Sequence, residues 1–375
     1  MRIGIDARMY GAKSTTGIGV YIKNLTDELF KIDQNNQYFL FMLDPAYSKF
    51  QPPSENIKKI KVNCPWYSWA EQIKMPLILW KYRLDLVHFP HFNVPIFYPK
   101  KFIVTIHDIT PNFFPGPKVK KSLMRKFGYQ VVMAAALKKS KKIIVISSHT
   151  KENLINHFKV KKEKIEVIYL GGSQGLNHQK IDQGATNEMK KKYKITKPFL
   201  FYLGVWRDHK NLPGLIKAFE ILKTKFKLDF QLVLGGQPDS NYPEILEAIN
   251  NSKFKNDIIA PGFIEQNDLP VFYQAAEIFV LPSFGEGFGL VALESLALGT
   301  PMAASKTTSL PEILGEAALY FNPADSEDMA QIIHQISTNQ NLRQILTKNG
   351  YEIIKKYSWQ TCAQKTLAVY HLILL

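Results

Sequence analysis

The sequence predicts an α/β protein made of two doubly wound, Rossmann-like domains that face a cleft. The chain has 375 residues, which is more than a single hydrophobic core usually serves. Apolar runs of strand length alternate with longer helical patterns, and they are apolar on both faces, which is typical of parallel strands covered by helices on each side. The alternation pauses over the polar residues 173–197 and then resumes. Two such halves predict two domains, whose ligands would bind beyond the carboxyl ends of the strands.

The first half, residues 1–172, carries six strand-like runs and two clear helical patterns. Strands are expected at Arg2–Ile5, Tyr38–Met42, Leu86–Phe89, Phe102–Ile106, Lys142–Ile146 and Ile165–Tyr169. Helices are expected at Val20–Lys31 and Lys120–Leu137. This alternation of strand and helix predicts a parallel sheet.

The second half, residues 198–355, repeats the alternation. Strands are expected at Phe199–Leu203, Phe230–Leu234, Ile258–Ile259, Ala276–Leu281 and Met302–Ala304. Helices are expected at Leu212–Lys225, Pro243–Asn250 and Leu290–Leu298. The polar residues 173–197 between the two halves are then expected to be the interdomain linker.

The formal net charge of +16 is unevenly distributed. The segment Lys118–Lys164 contains 14 Lys and Arg side chains against Glu152 and Glu163. Such a field attracts polyanions, either an anionic membrane surface or nucleic acid. Aromatic residues are not interleaved with the basic ones, as base stacking would require, so the membrane surface is the better functional interpretation. A solvated lysine-rich surface with no partner is the alternative.

Cysteine usage and hydropathy bear on the compartment. Cys64 and Cys362 are the only two cysteines and lie far apart, so a reducing cytoplasm fits better than a disulfide framework. The first residues, MRIGIDARMY, resemble a first strand and not a signal peptide. The apolar runs are far shorter than the roughly 20 residues that span a bilayer. We therefore expect a cytoplasmic protein, peripheral at most on the inner face of the membrane.

Two segments of the first half could bind a ligand: a glycine turn before a predicted helix and a polar pair after a predicted strand. Thr15-Thr16-Gly17-Ile18-Gly19 is a glycine turn that opens a helix, where backbone N–H groups could hold a phosphate; an ordinary tight turn is the alternative. His107-Asp108 follows a buried strand and could hydrogen-bond to a sugar. A capping Asp beside a core histidine is the alternative there.

A cationic segment follows the first strand of the second half. In Gly204-Val205-Trp206-Arg207-Asp208-His209-Lys210-Asn211, two cations flank the start of a helix. The amide dipoles at a helix N-terminus already favour an anion, so Arg207 and Lys210 would suit a diphosphate. A surface charge cluster is the alternative.

The most specific segment is Phe284-Gly285-Glu286-Gly287-Phe288-Gly289-Leu290, which leads into a helix carrying Glu294. Three glycines in five residues indicate a sharp turn or a close approach to a ligand. Both carboxylates could accept hydrogen bonds from sugar or ribose hydroxyls; a helix cap and a solvated helix residue are the alternative. A metal site is not expected, because no Asp-x-Asp occurs and no His/Cys cluster has ligand spacing.

These segments together resemble the retaining GT-B glycosyltransferases of the large family 4, the glycosyl transferases group 1. The pair Glu286 and Glu294 within EGFGLVALE is similar to the family signature, and GIDAR, TGIGVY, VTIHDITP, HKNLPGLIKAF and SLPEILGEAALYFNP match in the right order. The resemblance covers essentially the whole chain. It implies the GT-B fold, with residues 356–375 forming a helix that crosses back to the N-terminal domain.

The resemblance also implies a role for individual residues. His107, Asp108 and Glu286 would lie at the transferred sugar, with Glu286 contacting its hydroxyls near the reacting carbon. The donor would be bound by Gly17, Arg207, Lys210, Phe263, Ile264, Gly287, Phe288, Gly289, Leu290 and Glu294. Glu294 would bind the ribose, Arg207 and Lys210 the diphosphate, and Phe263 and Ile264 the nucleobase. No metal or cofactor is implied, since the nucleotide sugar is a substrate.

This sequence departs from the family pattern at two places. The basic pair is often Arg-Lys immediately before Asn, whereas here His209 precedes Lys210 and the arginine is Arg207. Thr16 stands where the family usually has the first of two glycines. The expected close approach of the phosphate to the first turn is weakened accordingly.

The resemblance implies a hexose donor, GDP-mannose or UDP-glucose, and a saccharide or lipid-linked saccharide acceptor in cell-surface polysaccharide synthesis. It would make the chain a mannosyltransferase or glucosyltransferase that works with retention and without a metal. A nucleotide-sugar epimerase of the same fold and a non-catalytic sugar-nucleotide-binding protein are the alternatives. A nucleic-acid binder is supported by charge alone, and we expect no nucleic acid partner.

Overall fold

The computed structural model describes residues 1–11, 17–117, 122–172 and 182–374. They form two compact units. The first unit comprises residues 1–109, 118–171 and 358–375, and the second comprises residues 110–117 and 172–357. Each unit is built on one parallel sheet with helices packed against it, so the predicted fold class is confirmed.

The first unit is built on a seven-stranded sheet in the order β3-β2-β1-β4-β5-β6-β7, with every neighbouring pair parallel. Its strands are β1 (Arg2–Asp6), β2 (Gln37–Met42), β3 (Ile57–Lys61), β4 (Leu86–Phe89), β5 (Phe102–Ile106), β6 (Lys142–Val145) and β7 (Ile165–Val167). Its helices are α1 (Gly17–Ile32), α2 (Ala46–Lys49), α3 (Trp69–Lys81), α5 (Leu123–Lys139), α6 (Ser148–Phe158) and the C-terminal α15 (Trp359–Leu374).

Helices α3, α5 and α6 share one hydrophobic core with the sheet. Met75 of α3, Met133 of α5 and Leu154 of α6 are fully buried in a cluster with Phe89 of β4 and Val104 of β5. Since strand side chains alternate between the two faces, residues such as Phe89 and Val104 define the face that these helices cover. The three helices therefore lie on the same side of the sheet.

The C-terminal helix α15 packs with α1 and is joined to the sheet through a buried histidine. His88 of β4 lies 2.7 Å from the Tyr370 hydroxyl through Nδ1 and 2.8 Å from Thr105 Oγ1 through Nε2. Burial lowers the pKa of His88 to about 3, so the ring is neutral at physiological pH. One nitrogen therefore donates and the other accepts, which satisfies both hydroxyl partners.

The second unit has a six-stranded parallel sheet in the order β10-β9-β8-β11-β12-β13. Its strands are β8 (Phe199–Leu203), β9 (Gln231–Gly235), β10 (Ile258–Gly262), β11 (Ile278–Leu281), β12 (Met302–Ser305) and β13 (Ala318–Phe321). Its helices are α4 (Thr110–Phe113), α7 (Gln183–Tyr193), α8 (Leu212–Thr224), α9 (Pro243–Asn251), α10 (Leu269–Ala275), α11 (Leu290–Ala297), α12 (Leu310–Leu314), α13 (Ser326–Thr338) and α14 (Gln340–Ile354).

The strand order reverses direction between β8 and β11. Strands that follow β8 toward one edge are β9 and β10, whereas β11, β12 and β13 continue toward the other edge. In open α/β sheets the crevice beyond the carboxyl ends of the strands at such a switch point is where ligands bind. A ligand site in this unit is therefore expected at the loops after β8 and β11.

Residues 173–197 differ from the expected linker over their second half. Helix α7 begins after Asp182, whose carboxylate accepts a hydrogen bond from Gly184 N, and ends at Tyr193. Tyr193 packs against Phe272 of α10, with ring centroids 4.8 Å apart, and donates to Asp268. The sequence pattern missed this helix because only Met189 is fully buried among its lysines, too little to make an apolar stripe. Residues 173–181 lie outside the described residues.

The sequence pattern also missed β3, α3 and β13. Strand β3 has the sequence Ile-Lys-Lys-Ile-Lys and lies at the edge of its sheet, so only Ile57 is fully buried. An edge strand with lysines lacks the continuous apolar run by which the other strands were predicted, although the charges protect the open edge against aggregation. Helix α3 buries only part of its surface and leaves four large apolar residues exposed.

Candidate active site

The loop between β11 and α11 is shaped by its glycines. Gly289 has a φ of +86°, which side chains other than glycine adopt with strain, and an added Cβ would lie 3.1 Å from Leu310 Cδ2. A Cβ on Gly285 would lie 3.3 Å from Thr110 Cγ2. The loop therefore turns sharply in little space, as its three glycines predicted, and it places Glu286 at its centre.

Glu286 is held by contacts at both its backbone and its carboxylate. Its Oε1 accepts hydrogen bonds from Lys210 Nζ at 2.6 Å and from Ser283 Oγ at 2.7 Å. Its backbone N–H donates to Thr308 Oγ1, and its carbonyl accepts from Ser309 Oγ. The side chain thus has one defined position and one oxygen committed to a cation.

The carboxylate of Glu286 is ionised. Burial alone would raise its pKa, but the adjacent Lys210 ammonium and the hydrogen bond from Ser283 outweigh that effect and lower the pKa below its ordinary value. Only 15% of the Lys210 side chain and 11% of the Glu286 side chain are exposed. The two charges therefore form a largely desolvated pair, in which each partner is needed to balance the other.

The loop after β8 delivers Lys210 to this pair. A single 3₁₀ turn, Asp208–Lys210, ends at Asn211, which adopts the left-handed conformation with a φ of +55°. The buried Asn211 side chain donates to Pro282 O and Pro323 O, which fastens the loop to the segment after β11. Phe284 N donates to His209 O across the same two loops. These contacts hold the loops after β8 and β11 together at the switch point.

Glu294 lies in the second turn of α11 and belongs to a different environment. Its Oε2 accepts a 2.8 Å hydrogen bond from the Tyr273 hydroxyl. Burial raises its pKa above the ordinary value, and the Tyr273 hydrogen bond lowers it only in part. The two glutamates of the EGFGLVALE segment therefore have pKa values shifted in opposite directions.

The N-terminus of α11 has no side-chain cap, and Gly289 is its N-cap residue. The first N–H groups of a helix have no partner within the helix, and its dipole favours negative charge there. The loops that follow β8 and β11 bring the Lys210 ammonium to the Glu286 carboxylate, and the N-cap Gly289 follows Glu286 by three residues. These groups could neutralise an anion and accept hydrogen bonds from hydroxyl groups.

The other residues predicted to bind the donor differ in exposure. Arg207 is exposed and Leu290 is half-buried, whereas Gly287 is buried. Phe288 is buried and packs edge-on against Tyr357, with ring centroids 5.4 Å apart. Its role in the structure is packing beneath the loop.

Phe263 and Ile264, which follow β10, point to different surroundings. Phe263 is 47% exposed, whereas Ile264 is only 3% exposed. A Cβ on Gly235 would lie 2.9 Å from Ile264 Cδ1, so Ile264 packs against the end of β9. Of the two, Phe263 is the one whose side chain can stack on a planar ligand.

The first unit carries the remaining predicted residues. Gly17 is the exposed first residue of α1, and Thr15 and Thr16 before it lie outside the described residues. His107 Nε2 lies 2.8 Å from Pro90 O and must carry the proton, since a carbonyl oxygen only accepts. Burial lowers the pKa of His107, so the ring is neutral and Nδ1 is its acceptor. Asp108 follows it, half-buried, at the end of β5.

Sequence reasoning did not single out four polar residues that hold the site together. Tyr273 binds Glu294, Ser283 and Thr308 bind Glu286, and Asn211 joins the two loops. Asn211 was visible only as the last letter of the HKN segment, while the other three lie far from their partners in the sequence or look like ordinary loop residues. No motif marks them, because their function is to position other side chains.

No group of three or more His, Cys, Asp or Glu side chains within the described ranges is arranged to hold a metal ion. No helix in the part of the chain that the structure describes is both long and apolar enough to cross a membrane.

Comparison with known proteins finds glycosyltransferases. Residues 15–171 match the model of Glycosyltransferase Family 4, and residues 185–353 match that of Glycosyl transferases group 1. The chain is 26% identical over 378 residues to O-antigen chain mannosyltransferase B of Escherichia coli, covering 96% of each chain. It is 24% identical to O-antigen chain mannosyltransferase RfbU of Salmonella typhimurium, over 72% of this chain and 70% of that protein.

Solved structures share the fold over the whole chain. Sucrose-phosphate synthase of Thermosynechococcus elongatus superimposes with a TM-score of 0.79 at 20% identity, covering 100% of this chain and 99% of that one. HepE of Anabaena, in complex with UDP-glucose, gives a TM-score of 0.77 at 16% identity and 99% coverage of both chains. Two matching family models, the mannosyltransferase relatives and the shared GT-B fold lead to one conclusion: the chain belongs to the family 4, group 1 glycosyltransferases.

Proposed function

We propose that the protein transfers mannose from GDP-mannose, with retention of configuration and without a metal, to a lipid-linked saccharide in cell-surface glycan synthesis. The observation that carries this proposal is the desolvated Lys210–Glu286 pair beside the uncapped N-terminus of α11. It offers one cation and a set of amides to a leaving diphosphate. Mannose is preferred over glucose because the two O-antigen relatives are named as mannosyltransferases. A UDP-glucose donor, as in the HepE complex, is the alternative.

The leaving group is stabilised by groups that are already in place. A diphosphate that reaches Lys210 competes with Glu286 for the ammonium group, since Lys210 Nζ now donates to Glu286 Oε1. The N–H groups of Gly289 and Leu290 would hold the distal phosphate, supported by the helix dipole. Arg207 and Gly17 would add further contacts. Charge that develops on the diphosphate is then met by fixed donors that need little reorganisation.

Once Lys210 binds the phosphates, Glu286 can accept hydrogen bonds from hydroxyl groups of the transferred sugar. Glu294 would bind the ribose hydroxyls, and Phe263 with Ile264 would contact the base. His107 and Asp108 would hydrogen-bond to the sugar, with His107 Nδ1 as an acceptor. For retention, the acceptor hydroxyl attacks from the face of the leaving group, and its proton passes to the departing diphosphate.

The transfer reaction is tested by incubating the protein with labelled GDP-mannose or UDP-glucose and membrane-extracted lipid-linked saccharides. We expect label from GDP-mannose to appear in the glycan. NMR of the product should show that the anomeric configuration of the donor is retained. Label from UDP-glucose alone would change the donor assignment, and inversion would contradict the mechanism. An epimer formed without acceptor would indicate the epimerase alternative, and donor binding with no turnover would indicate a non-catalytic protein.

Substitution of Lys210 tests the role of the ion pair. Lys210→Ala removes a preorganised cation, and kcat should fall at least about a hundredfold. Lys217→Ala, which removes an exposed lysine from α8, should leave kcat unchanged. Both rates are measured with saturating donor, and circular dichroism checks the fold. A rate for Lys210→Ala close to that of the native protein would refute the assignment.

A further inference from the structure

Helix α3 presents a row of large apolar side chains to solvent. Trp69, Ile73, Leu77 and Trp80 are 79%, 61%, 68% and 57% exposed. Their spacing of three and four residues places them along one face of the helix. The opposite face is buried in the core through Met75 and Leu79. A soluble domain rarely exposes so continuous an apolar face unless something binds it.

The charges around this row are basic. Lys74 and Lys81 are exposed on α3, whereas the only acid of the helix, Glu71, is buried and paired with Arg8. Asn93 also donates to both oxygens of Glu71, at 2.7 and 2.6 Å. The exposed face of α3 therefore combines apolar side chains with positive charge and no negative charge.

The apolar row continues into a basic groove. Lys100 Nζ lies 4.9 Å from the centroid of the Trp80 ring. Lys100 lines a groove of about 840 Å³ with Lys101, Lys139 and Lys141. Asp85, the one acid among the described residues that line the groove, accepts a hydrogen bond from the backbone N–H of Arg2. The contact between Trp80 and Lys100 thus connects the apolar row to a basic groove that could bind anions.

A second contact ties the groove to the same surface. Lys139 Nζ donates to Ile96 O at 2.6 Å, and the next residue, Phe97, is 65% exposed. Trp69, Ile73, Leu77, Trp80 and Phe97, with the groove lysines Lys100, Lys101, Lys139 and Lys141, define what we call the α3 surface. All of these residues belong to the first unit.

Several lysines of the basic segment Lys118–Lys164 are occupied within the fold. Lys164 Nζ donates to the carbonyls of Leu137 and Lys138 at the end of α5, and Lys142 Nζ donates to Glu163 O. Cations at a helix C-terminus satisfy its last carbonyls and interact favourably with its dipole. The net charge of that segment therefore overstates what it offers to a partner, and the α3 surface offers apolar anchors as well.

We propose that the α3 surface docks the protein on an anionic membrane, with Trp69, Ile73, Leu77 and Trp80 entering the interface and the groove lysines binding lipid headgroups. Amphipathic helices with tryptophan and leucine on one face and lysine beside it bind bilayers in this way, in the plane of the interface. Each lysine near an anionic leaflet adds attraction that salt screens. Docking would bring the protein to the lipid-linked acceptor of the proposed function. It is measured without donor or acceptor, so its failure leaves the proposed chemistry untouched.

The proposal is tested by sedimentation of the full chain with phosphatidylcholine vesicles, with and without phosphatidylglycerol. The native protein should bind the phosphatidylglycerol vesicles at low salt and be released by high salt. Ile73→Gln with Leu77→Gln should weaken vesicle binding at least about tenfold, since two apolar anchors are lost. Leu246→Gln with Ile345→Gln, which changes two exposed apolar residues of the second unit, is the matched control and should bind like the native protein.

The charge contribution has its own pair of variants. Lys100→Gln with Lys141→Gln should weaken binding to phosphatidylglycerol vesicles about tenfold. Lys191→Gln with Lys253→Gln removes the same charge from exposed positions of the second unit and should leave binding unchanged. Lys141, Lys191 and Lys253 are exposed and Lys100 is half-buried, so thermal unfolding should shift little.

Three results would overturn the proposal. The first is native protein that ignores phosphatidylglycerol vesicles at low salt. The second is a pair of findings: the Ile73/Leu77 variant binds vesicles like the native protein, and Leu123→Gln with Met124→Gln abolishes binding. Together they would place the membrane contact at α5. The third is an Ile73/Leu77 variant that turns a dimer into a monomer by light scattering with vesicle binding unchanged, because the surface would then join two copies of the chain.

Discussion

At the scale of single residues, the candidate site rests on two glutamates whose chemistry is opposite. Glu286 is ionised and paired with Lys210, whereas Glu294 is half-buried and accepts a hydrogen bond from the Tyr273 hydroxyl. Burial raises both pKa values, but only Glu286 has a cation to reverse the effect. The two carboxylates, eight residues apart, therefore suit different partners. Glu286 suits an exchange in which a phosphate takes its place at Lys210, and Glu294 suits neutral hydroxyl groups.

These shifts predict opposite effects on stability. The raised pKa of Glu294 means that ionisation costs stability as pH rises above its ordinary value of 4.5, so Glu294→Gln should unfold at higher temperature than the native protein at pH 7. The lowered pKa of Glu286 means that its ionised form adds stability above pH 4.5. Glu286→Gln should therefore unfold at a lower temperature than the native protein, and its free energy of unfolding should fall by about 1.5–3 kcal/mol.

The pH dependence separates this effect from general damage. Below pH 4.5 Glu294 is protonated in both the folded and unfolded states, so the difference for Glu294→Gln should vanish there. The difference for Glu286→Gln should persist to lower pH and fade only as Glu286 itself becomes protonated. Thermal unfolding followed by circular dichroism from pH 7 into acid would show this. A shift of the same sign for both variants at pH 7 contradicts the assigned environments.

At the scale of elements, glycines set how closely the loops of the second unit approach each other. Gly236, after β9, has a φ of +121°, and an added Cβ would lie 1.9 Å from Gly204 O, after β8. Gly289 has the same function before α11. The backbones after β8 and β9 are thus in close contact, and a side chain at position 236 would collide with Gly204.

Gly289→Ala tests this directly. The left-handed backbone costs a residue with a Cβ about 1–2 kcal/mol, and the new methyl group would press on Leu310. We expect a loss of that size in the free energy of unfolding by urea and weaker nucleotide binding. Gly128→Ala, the same change in an open position of α5, should stabilise by up to about 1 kcal/mol. Equal effects of the two substitutions would show that backbone conformation is not the cause.

The sequence identified elements well where burial was continuous. Strands such as Phe102–Ile106 are buried along their whole length, and their apolar runs stand out. The helix α7 and the edge strand β3 were missed, because each fully buries a single side chain among several lysines. Of the site, the glycine loop and Lys210 could be predicted as a motif, but the pairing of Lys210 with Glu286 could not, because it depends on two loops 76 residues apart meeting at a switch point.

At the scale of the whole molecule, charge and function are carried by different parts of the chain. The excess of +16 arises mainly outside the candidate site, where Lys210 is matched by Glu286. On the first unit, basic side chains collect beside the apolar row of α3 instead. A donor would therefore be recognised by local pairing, and a membrane by an extended basic and apolar surface.

We propose that the groups after β8 and β11 bind a nucleoside diphosphate. The most direct measurement is thermal unfolding with UDP, GDP, ADP and dTDP over a range of concentrations. A ligand bound only to the folded state raises its stability with the logarithm of concentration over Kd. We predict that GDP raises the unfolding temperature most, and that Lys210→Ala and Glu294→Ala lose most of that rise. Nucleotide binding at this site would be contradicted if no nucleotide raised the unfolding temperature. It would also be contradicted if both variants showed the same rise as the native protein.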